Sequence, residues 1–477
     1  MHQVRSRREW FRPRPLAVAL AATLMVGSAP VTAATIGHPS FPIRAAVSMG
    51  IQLVPSASGL YVVVPRWRGN SADTAIAALD GGHLRPGWPI LLTGSCTLVP
   101  SDIDASVRVI CAQRAFAFDR TGRVMPGWPV FVGGAATSVW DAVVVNGELV
   151  ALTRNATGAR LVRVSADGKV RSGFRLAIRE GPRSGCGGCE ARVGAMGVAP
   201  DGTGYLVTYL MVPGGEGDNA DRVIGTEITM LDLAGVRPGW PVRLDPVASA
   251  PVFGPGGRIY VTQGTGDRAP TYILVLDREG HRIAGASARL PIELPMDGNS
   301  WMDGEGTWSV VAPLVADDGS SVVMPITDAG TTAYRVDASG RFRPGWTYRS
   351  PAVIESVWTD PCSIPSWAVR TSPALAADGT LYVLRHAASA RVGGSVVAIT
   401  LNGELKRGWP IVLRRPGAEF WSVSEGPDGT AYLLAVEPPA RSTKPDECYE
   451  PYASYSGTVL AVGSDGVVRN RITVVLP

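Results

Sequence analysis

The sequence predicts an all-β chain folded as an eight-bladed β-propeller of four-stranded antiparallel blades. Three observations carry the prediction. First, a short phrase recurs: an aspartate or asparagine, a glycine turn, then Gly-Trp-Pro or a variant of it. It stands at 80–89 (DGGHLRPGWP), 119–129 (DRTGRVMPGWP), 232–241 (DLAGVRPGWP), 337–346 (DASGRFRPGW) and 402–410 (NGELKRGWP). Second, short β-branched runs cut by Gly and Pro fill the spaces between, and no long 3.6-residue periodicity follows residue 34. Third, two separate series of turns each count eight. A repeat of this period means an array of like units, each burying its faces only against its neighbours.

Residues 1–33 read as a cleaved export signal. Arg5, Arg7, Arg8, Arg12 and Arg14 precede an apolar stretch from Leu16 to Val26, too short to span a bilayer, and Val31-Thr32-Ala33 offers small residues for cleavage. Ser6-Arg7-Arg8-Glu9-Trp10-Phe11 resembles a twin-arginine signal with Trp10 in place of the usual Phe; an Arg-rich Sec signal is the alternative. The leader holds five arginines and one glutamate, so the formal net charge of +4 falls to zero without it. A neutral chain gives no reason to invoke nucleic acid. No second hydrophobic span exists, so residues 34–477 read as a single soluble propeller domain, periplasmic or extracellular.

The unit is plainest at 367–413. A first strand, 367–377, closes in Asp378-Gly379; a second, 380–385, leads by a loop to a third, 395–401; Asn402-Gly403 then opens a fourth, 404–413. Asp-Gly and Asn-Gly between apolar runs are strong hairpin signals. The first-to-second turn recurs at Gly59, Ala105, Gly147, Gly202, Gly257, Gly319, Gly379 and Gly429. The third-to-fourth turn recurs at Gly82, Gly122, Gly168, Gly235, Gly280, Gly340, Gly403 and Gly466. Eight radial sheets leave only short edges. Seven blades are the alternative if the compressed second unit forms no sheet of its own. Phe41-Pro42-Ile43-Arg44 resembles the tail of a fourth strand and is expected to help close the ring.

This repeat resembles that of the PQQ-like β-propeller superfamily, which carries Ala-x-Asp, a Gly turn and a Trp that docks on the next blade. Ala78, Asp80 and Trp88 match it, as do Ala117, Asp119 and Trp128. The resemblance implies an eight-bladed propeller over nearly the whole exported chain. A fold does not fix a function. Trp88, Trp128, Trp240, Trp346 and Trp409, with Phe174 in the third unit, are read as packing residues between sheets, and the Asp before each turn as a turn residue.

Loop lengths separate the two faces of the ring. First-to-second and third-to-fourth connections are tight, whereas second-to-third and blade-to-blade connections are often long, and in an up-and-down blade the long ones share a face. Recognition usually sits on such loops. The candidate segments are 179–192, 213–222, 291–306, 348–366 and 437–456. Trp301 and Trp358 lie in them; Trp140, Trp308, Trp367 and Trp421 stand where first strands begin on that face. Aromatic rings around a concavity suit sugars, while packing under the loops is the alternative for the same residues. Acidic clusters at Asp218 to Asp221, Asp297 to Glu305 and Asp446 to Glu450 lack EF-hand spacing.

Six cysteines in an exported chain suggest disulfides. Cys96 and Cys111 are plausible partners, Cys186 and Cys189 then close on themselves, and Cys362 and Cys448 share a face. No cofactor is predicted: neither calcium nor pyrroloquinoline quinone finds a motif. Histidine is scarce, and no nucleophile elbow, phosphate loop or clustered metal ligands appear. The sequence therefore favours a non-catalytic binding or scaffold propeller that presents its aromatic, long-looped face to a glycan, an envelope component or an extracellular protein. A quinone-dependent oxidoreductase is the alternative, against which stand a missing adjacent Cys-Cys pair and a missing Cys-x-x-Cys-His. A polysaccharide lyase or hydrolase is a third reading without a motif of its own.

Overall fold

Eight antiparallel sheets follow one another along the chain and stand in a ring. They span 52–93, 96–131, 138–177, 181–244, 247–293, 314–350, 374–412 and 419–475, numbered here as blades 1 to 8. The computed structural model describes residues 52–475 except 101–105, 183–188, 213–221, 265–269, 294–311, 351–372, 386–392, 438–455 and a few gaps of one or two residues. The export leader and Phe41 to Arg44 lie outside the described residues. The compressed second unit does form its own sheet, from Cys96–Pro100, Val107–Cys111, Arg114–Phe118 and Val130–Phe131. Eight blades, not seven, make the ring.

Strand periodicity explains why the blades stack. In Gly59–Arg68 of blade 1, successive side chains point to opposite faces. Leu60, Val62 and Val64 pack against Leu434, Val436 and Val459 of blade 8. Tyr61 and Val63 pack the other way, with Leu98, Val107 and Val109 of blade 2. Each sheet thus needs both neighbours, and its strands are apolar on both faces. Among the described residues every blade is one contiguous segment, and blades 8 and 1 meet by packing. Ser424 Oγ of blade 8 also donates to the Leu53 carbonyl of blade 1 at 3.2 Å.

The recurring phrase is a clamp between consecutive blades. Gly87, Gly127, Gly239 and Gly408 have φ of 85°, 83°, 83° and 83°. A Cβ on any of them would collide with a carbonyl oxygen in the next blade's hairpin turn, at Thr121, Asp167, Glu279 and Asp465 respectively. Only glycine combines that φ with so close an approach. The following Trp turns into the gap between sheets. Trp88, Trp128, Trp240 and Trp346 donate Nε1–H to the carbonyls of Arg120, Ala166, Arg278 and Thr400 at 3.0, 3.0, 3.0 and 3.1 Å. Trp409 is equally buried, but its Nε1 has no acceptor among the described residues. The Trp-Pro bond is cis at 88–89, 128–129, 240–241 and 409–410.

Two expectations need correction. The fourth strand is not continuous where the tryptophan is followed by proline: in blade 7 it is reduced to Ile411–Val412 plus an isolated bridge of Leu405 to Ile399, whereas Phe342–Ser350 of blade 6 runs through Trp346 unbroken. The left-handed glycine and the proline interrupt the ladder, because neither continues a strand. Phe174 is not a packing residue; it is 42% exposed. Blade 3 lacks the Pro-Gly-Trp sequence, and Phe174 stays at the surface of its continuous outer strand Val170–Ala177. The turn aspartates behave as expected. Asp119 Oδ1 accepts from the Thr121 and Arg123 amides, and Asp337 Oδ1 from those of Ser339 and Arg341.

Cys96 and Cys111 face each other across the first two strands of blade 2 and are bonded. A bridge over 15 residues contributes about 3 kcal/mol in the loop-closure picture.

Candidate functional site

Strand direction sets the character of the two ends of the ring. First and third strands of a blade run one way, second and fourth the other. First-to-second and third-to-fourth turns therefore lie on one face, here the turn face. The strand ends flanking 213–221, 294–313, 351–373, 386–394 and 438–455 all lie on the opposite, loop face. The clamps use the turn face, since every clamping carbonyl belongs to a third-to-fourth turn.

On the loop face, three inner strands carry a β-bulge, and in two of them the extra residue is a tryptophan. The register shifts between Val139 and Asp141 in Ser138–Val145 of blade 3, and between Phe420 and Ser422 in Glu419–Glu425 of blade 8. The extra residue is Trp140 in one and Trp421 in the other. Bulges re-aim a side chain and concentrate at rims and sites. Blade 4 has the same irregularity at Gly194, between Val193 and Ala195. Trp140 is half-buried, and the Arg154 guanidinium lies over its ring at 5.3 Å. Arg154 in turn pairs with Glu180 Oε1 at 3.2 Å, an oxygen that also accepts from the Val193 amide at 3.2 Å. An indole, a cation and a carboxylate thus meet where blades 3 and 4 adjoin. Of the other aromatic candidates, Trp421 is placed by its backbone alone, and Trp301, Trp308, Trp358 and Trp367 lie outside the described residues.

The turn face holds a cleft that sequence reasoning missed. It lies between blades 4 and 5, has a volume of about 370 Å³ and is bordered by Asp201, Arg237, Arg278 and Asp317, with Met230, Phe253 and Ile259 as its apolar wall. One of its bordering turns differs from its sisters. In blades 4, 6 and 7 the first-to-second turn carries a carboxylate held by a cation of the same blade: Lys406 Nζ on Asp378 Oδ2 at 2.9 Å in blade 7, Arg335 near Asp318 at 3.7 Å in blade 6, Arg237 near Asp201 at 4.0 Å in blade 4. Blade 5 has the turn Gly254-Pro255-Gly256-Gly257 instead, with Gly256 at the aspartate's position. The signal was available: one turn in the series replaces Asp-Gly-Thr with Gly-Gly-Arg.

Glu425 also departs from its sisters. It ends the inner strand of blade 8, where other blades place Val198, Phe253, Val315 and Leu375. Its Oε2 accepts from the Ala377 amide at 2.8 Å. Burial pushes its carboxyl up to about 7; the negative charges of Asp378 and Asp317 add to this, and the Ala377 amide and Lys406 oppose it. Tyr382, wholly buried beside it, is pushed up by burial and then by the charges of Glu425 and Asp378. The native carboxyl keeps its proton to about 7, whereas the ordinary value is 4.5. Its stabilising contribution is therefore complete below that ordinary value and is lost as pH rises through the native one. Glu425→Gln is expected to flatten this slope and to raise stability at about pH 8 by about 2 kcal/mol. Denaturant midpoints of both proteins across that range check it, and parallel curves would contradict it.

Cys189 is fully buried and disulfide-bonded, with its partner outside the described residues, as are Cys186, Cys362 and Cys448. Among the described residues no group of three or more His, Cys, Asp or Glu is placed to hold a metal ion. No helix among them is long and apolar enough to cross a membrane.

No family model and no curated protein matches the chain. Solved structures resemble it at low identity. The Dos1 propeller is 8% identical, with 78% of this chain and 86% of that one covered and a TM-score of 0.43. A putative 6-phosphogluconolactonase from Bacteroides fragilis is 14% identical, covering 76% of this chain and 97% of that one, at 0.41. AztD from Citrobacter koseri is 14% identical, covering 77% and 87%, at 0.37.

Proposed function

We propose that this chain is an exported, non-catalytic binding propeller whose loop face receives a glycan of the cell envelope. The observation that carries the reading is that two of the three inner-strand bulges on that face have a tryptophan as the extra residue. A sugar offers C–H faces to an indole and hydroxyls to charged side chains, and Trp140 stands with Arg154 and Glu180. The leader and the Cys96–Cys111 bridge support an oxidising compartment outside the cytoplasm. The Ala-x-Asp, Gly and Trp pattern supports kinship with the PQQ-like propellers.

The test is a calorimetric titration with peptidoglycan fragments and chitooligosaccharides, with reducing-end release followed in parallel. The reading expects saturable binding without turnover, weakened about tenfold or more in Trp140→Ala and Trp421→Ala, each folded by circular dichroism. Bond cleavage, or saturable quenching by pyrroloquinoline quinone with calcium, would replace it with an enzymatic function. Absence of binding to every glycan would overturn the glycan reading.

A further inference from the structure

We propose that the cleft between blades 4 and 5 on the turn face is a second binding site, taking a small apolar monocarboxylate. The site is independent of the loop-face reading. Its volume of about 370 Å³ falls within the usual range of ligand pockets, about 300–1,000 Å³. Its wall of Met230, Phe253 and Ile259 suits an aliphatic or aromatic body.

The charge at the mouth decides the ligand's head group. Arg237 is already engaged, donating to Thr203 Oγ1 at 3.2 Å and lying near Asp201. Arg278 is different. Its backbone carbonyl is fixed by Trp240 Nε1 at 3.0 Å, so the root of the side chain is rigid. The side chain lies close against Gly257, where a Cβ would strike its Nε. Among the described residues its guanidinium makes no hydrogen bond or ion pair. The adjoining turn position that carries a carboxylate in blades 4, 6 and 7 is Gly256 here, which leaves room beside the guanidinium. A ligand carboxylate would pair with this guanidinium, held by a planar fork of donors suited to it. Asp201 and Asp317, which also line the cleft, repel a second negative group, so a monoacid fits better than a diacid.

The test uses the full chain and the probes phenylacetate, phenylacetamide and glutarate, followed by calorimetry. Phenylacetate is expected to bind saturably, and the amide and the diacid about tenfold more weakly. Arg278→Gln, which keeps the carbonyl that Trp240 uses, is expected to weaken phenylacetate about tenfold and leave the amide unchanged. Gly256→Asp, which restores the carboxylate of the sister blades, is expected to abolish binding. Equal affinity for acid and amide, an Arg278→Gln variant that binds as before, or no saturable binding at all would overturn the proposal. Oligosaccharide binding at the loop face is unaffected by either substitution, so the two readings fail separately.

Discussion

Trp128→Ala is expected to destabilise the protein by about 4 kcal/mol, read as a lower denaturant midpoint. The ring is 7% exposed and lies between Val99, Ile110 and Ala117 of blade 2 and Leu149, Ala151 and Val162 of blade 3. Removing it opens a cavity that two rigid sheets cannot collapse to fill, which is the costly case for a large-to-small change. Its Nε1 bond to Ala166 and the Arg108 guanidinium over its ring at 5.3 Å go with it. Phe131→Ala is the control. Phe131 stands a few residues on in the same outer strand region but is 61% exposed, with Arg114 over its ring. Its loss is expected to cost less than about 1 kcal/mol. Equal effects of the two changes would mean that the tryptophans are surface platforms and not clamps.

Gly239→Ala is expected to cost about 3 kcal/mol, and Gly147→Ala about 1 kcal/mol. Both glycines are left-handed, at φ of 83° and 80°. A Cβ at 147 meets nothing within 4 Å, so only the backbone preference is lost. A Cβ at 239 runs into the Glu279 carbonyl of blade 5, and either the turn or the blade must move. The difference between the two variants isolates the clamp from the φ preference. Matching denaturation midpoints would show that the blades do not approach as closely as described.

The architecture was legible because each blade repeats the same local chemistry. Hairpin turns such as Asp378-Gly379 and Asn402-Gly403 mark strand boundaries from a few residues, and eight of each kind counted the blades. The packing role of Trp88 and its equivalents followed from their recurrence. Its partner did not, because the carbonyl that Trp88 reaches belongs to Arg120 in the next blade. Phe174 was misread because position in the repeat was taken as position in the gap, although blade 3 lacks the Pro-Gly-Trp sequence. The cleft and Glu425 were missed for a related reason. Each is a departure from its sisters at one position, Gly256 for an aspartate and Glu425 for an apolar residue, and its meaning depends on the neighbouring blade. The bulges that set Trp140 and Trp421 apart are features of strand register, which residue types alone do not reveal.

The most direct test of the account is a hydrogen-exchange footprint of the protein with and without a bound envelope oligosaccharide. The account predicts slower exchange at strand ends of the loop face, at residues 138–142, 153–158, 190–193 and 419–423, with the clamp turns at 119–125, 165–169 and 277–283 unchanged. Protection confined to those clamp turns would contradict it, because recognition would then lie on the face that holds the ring together.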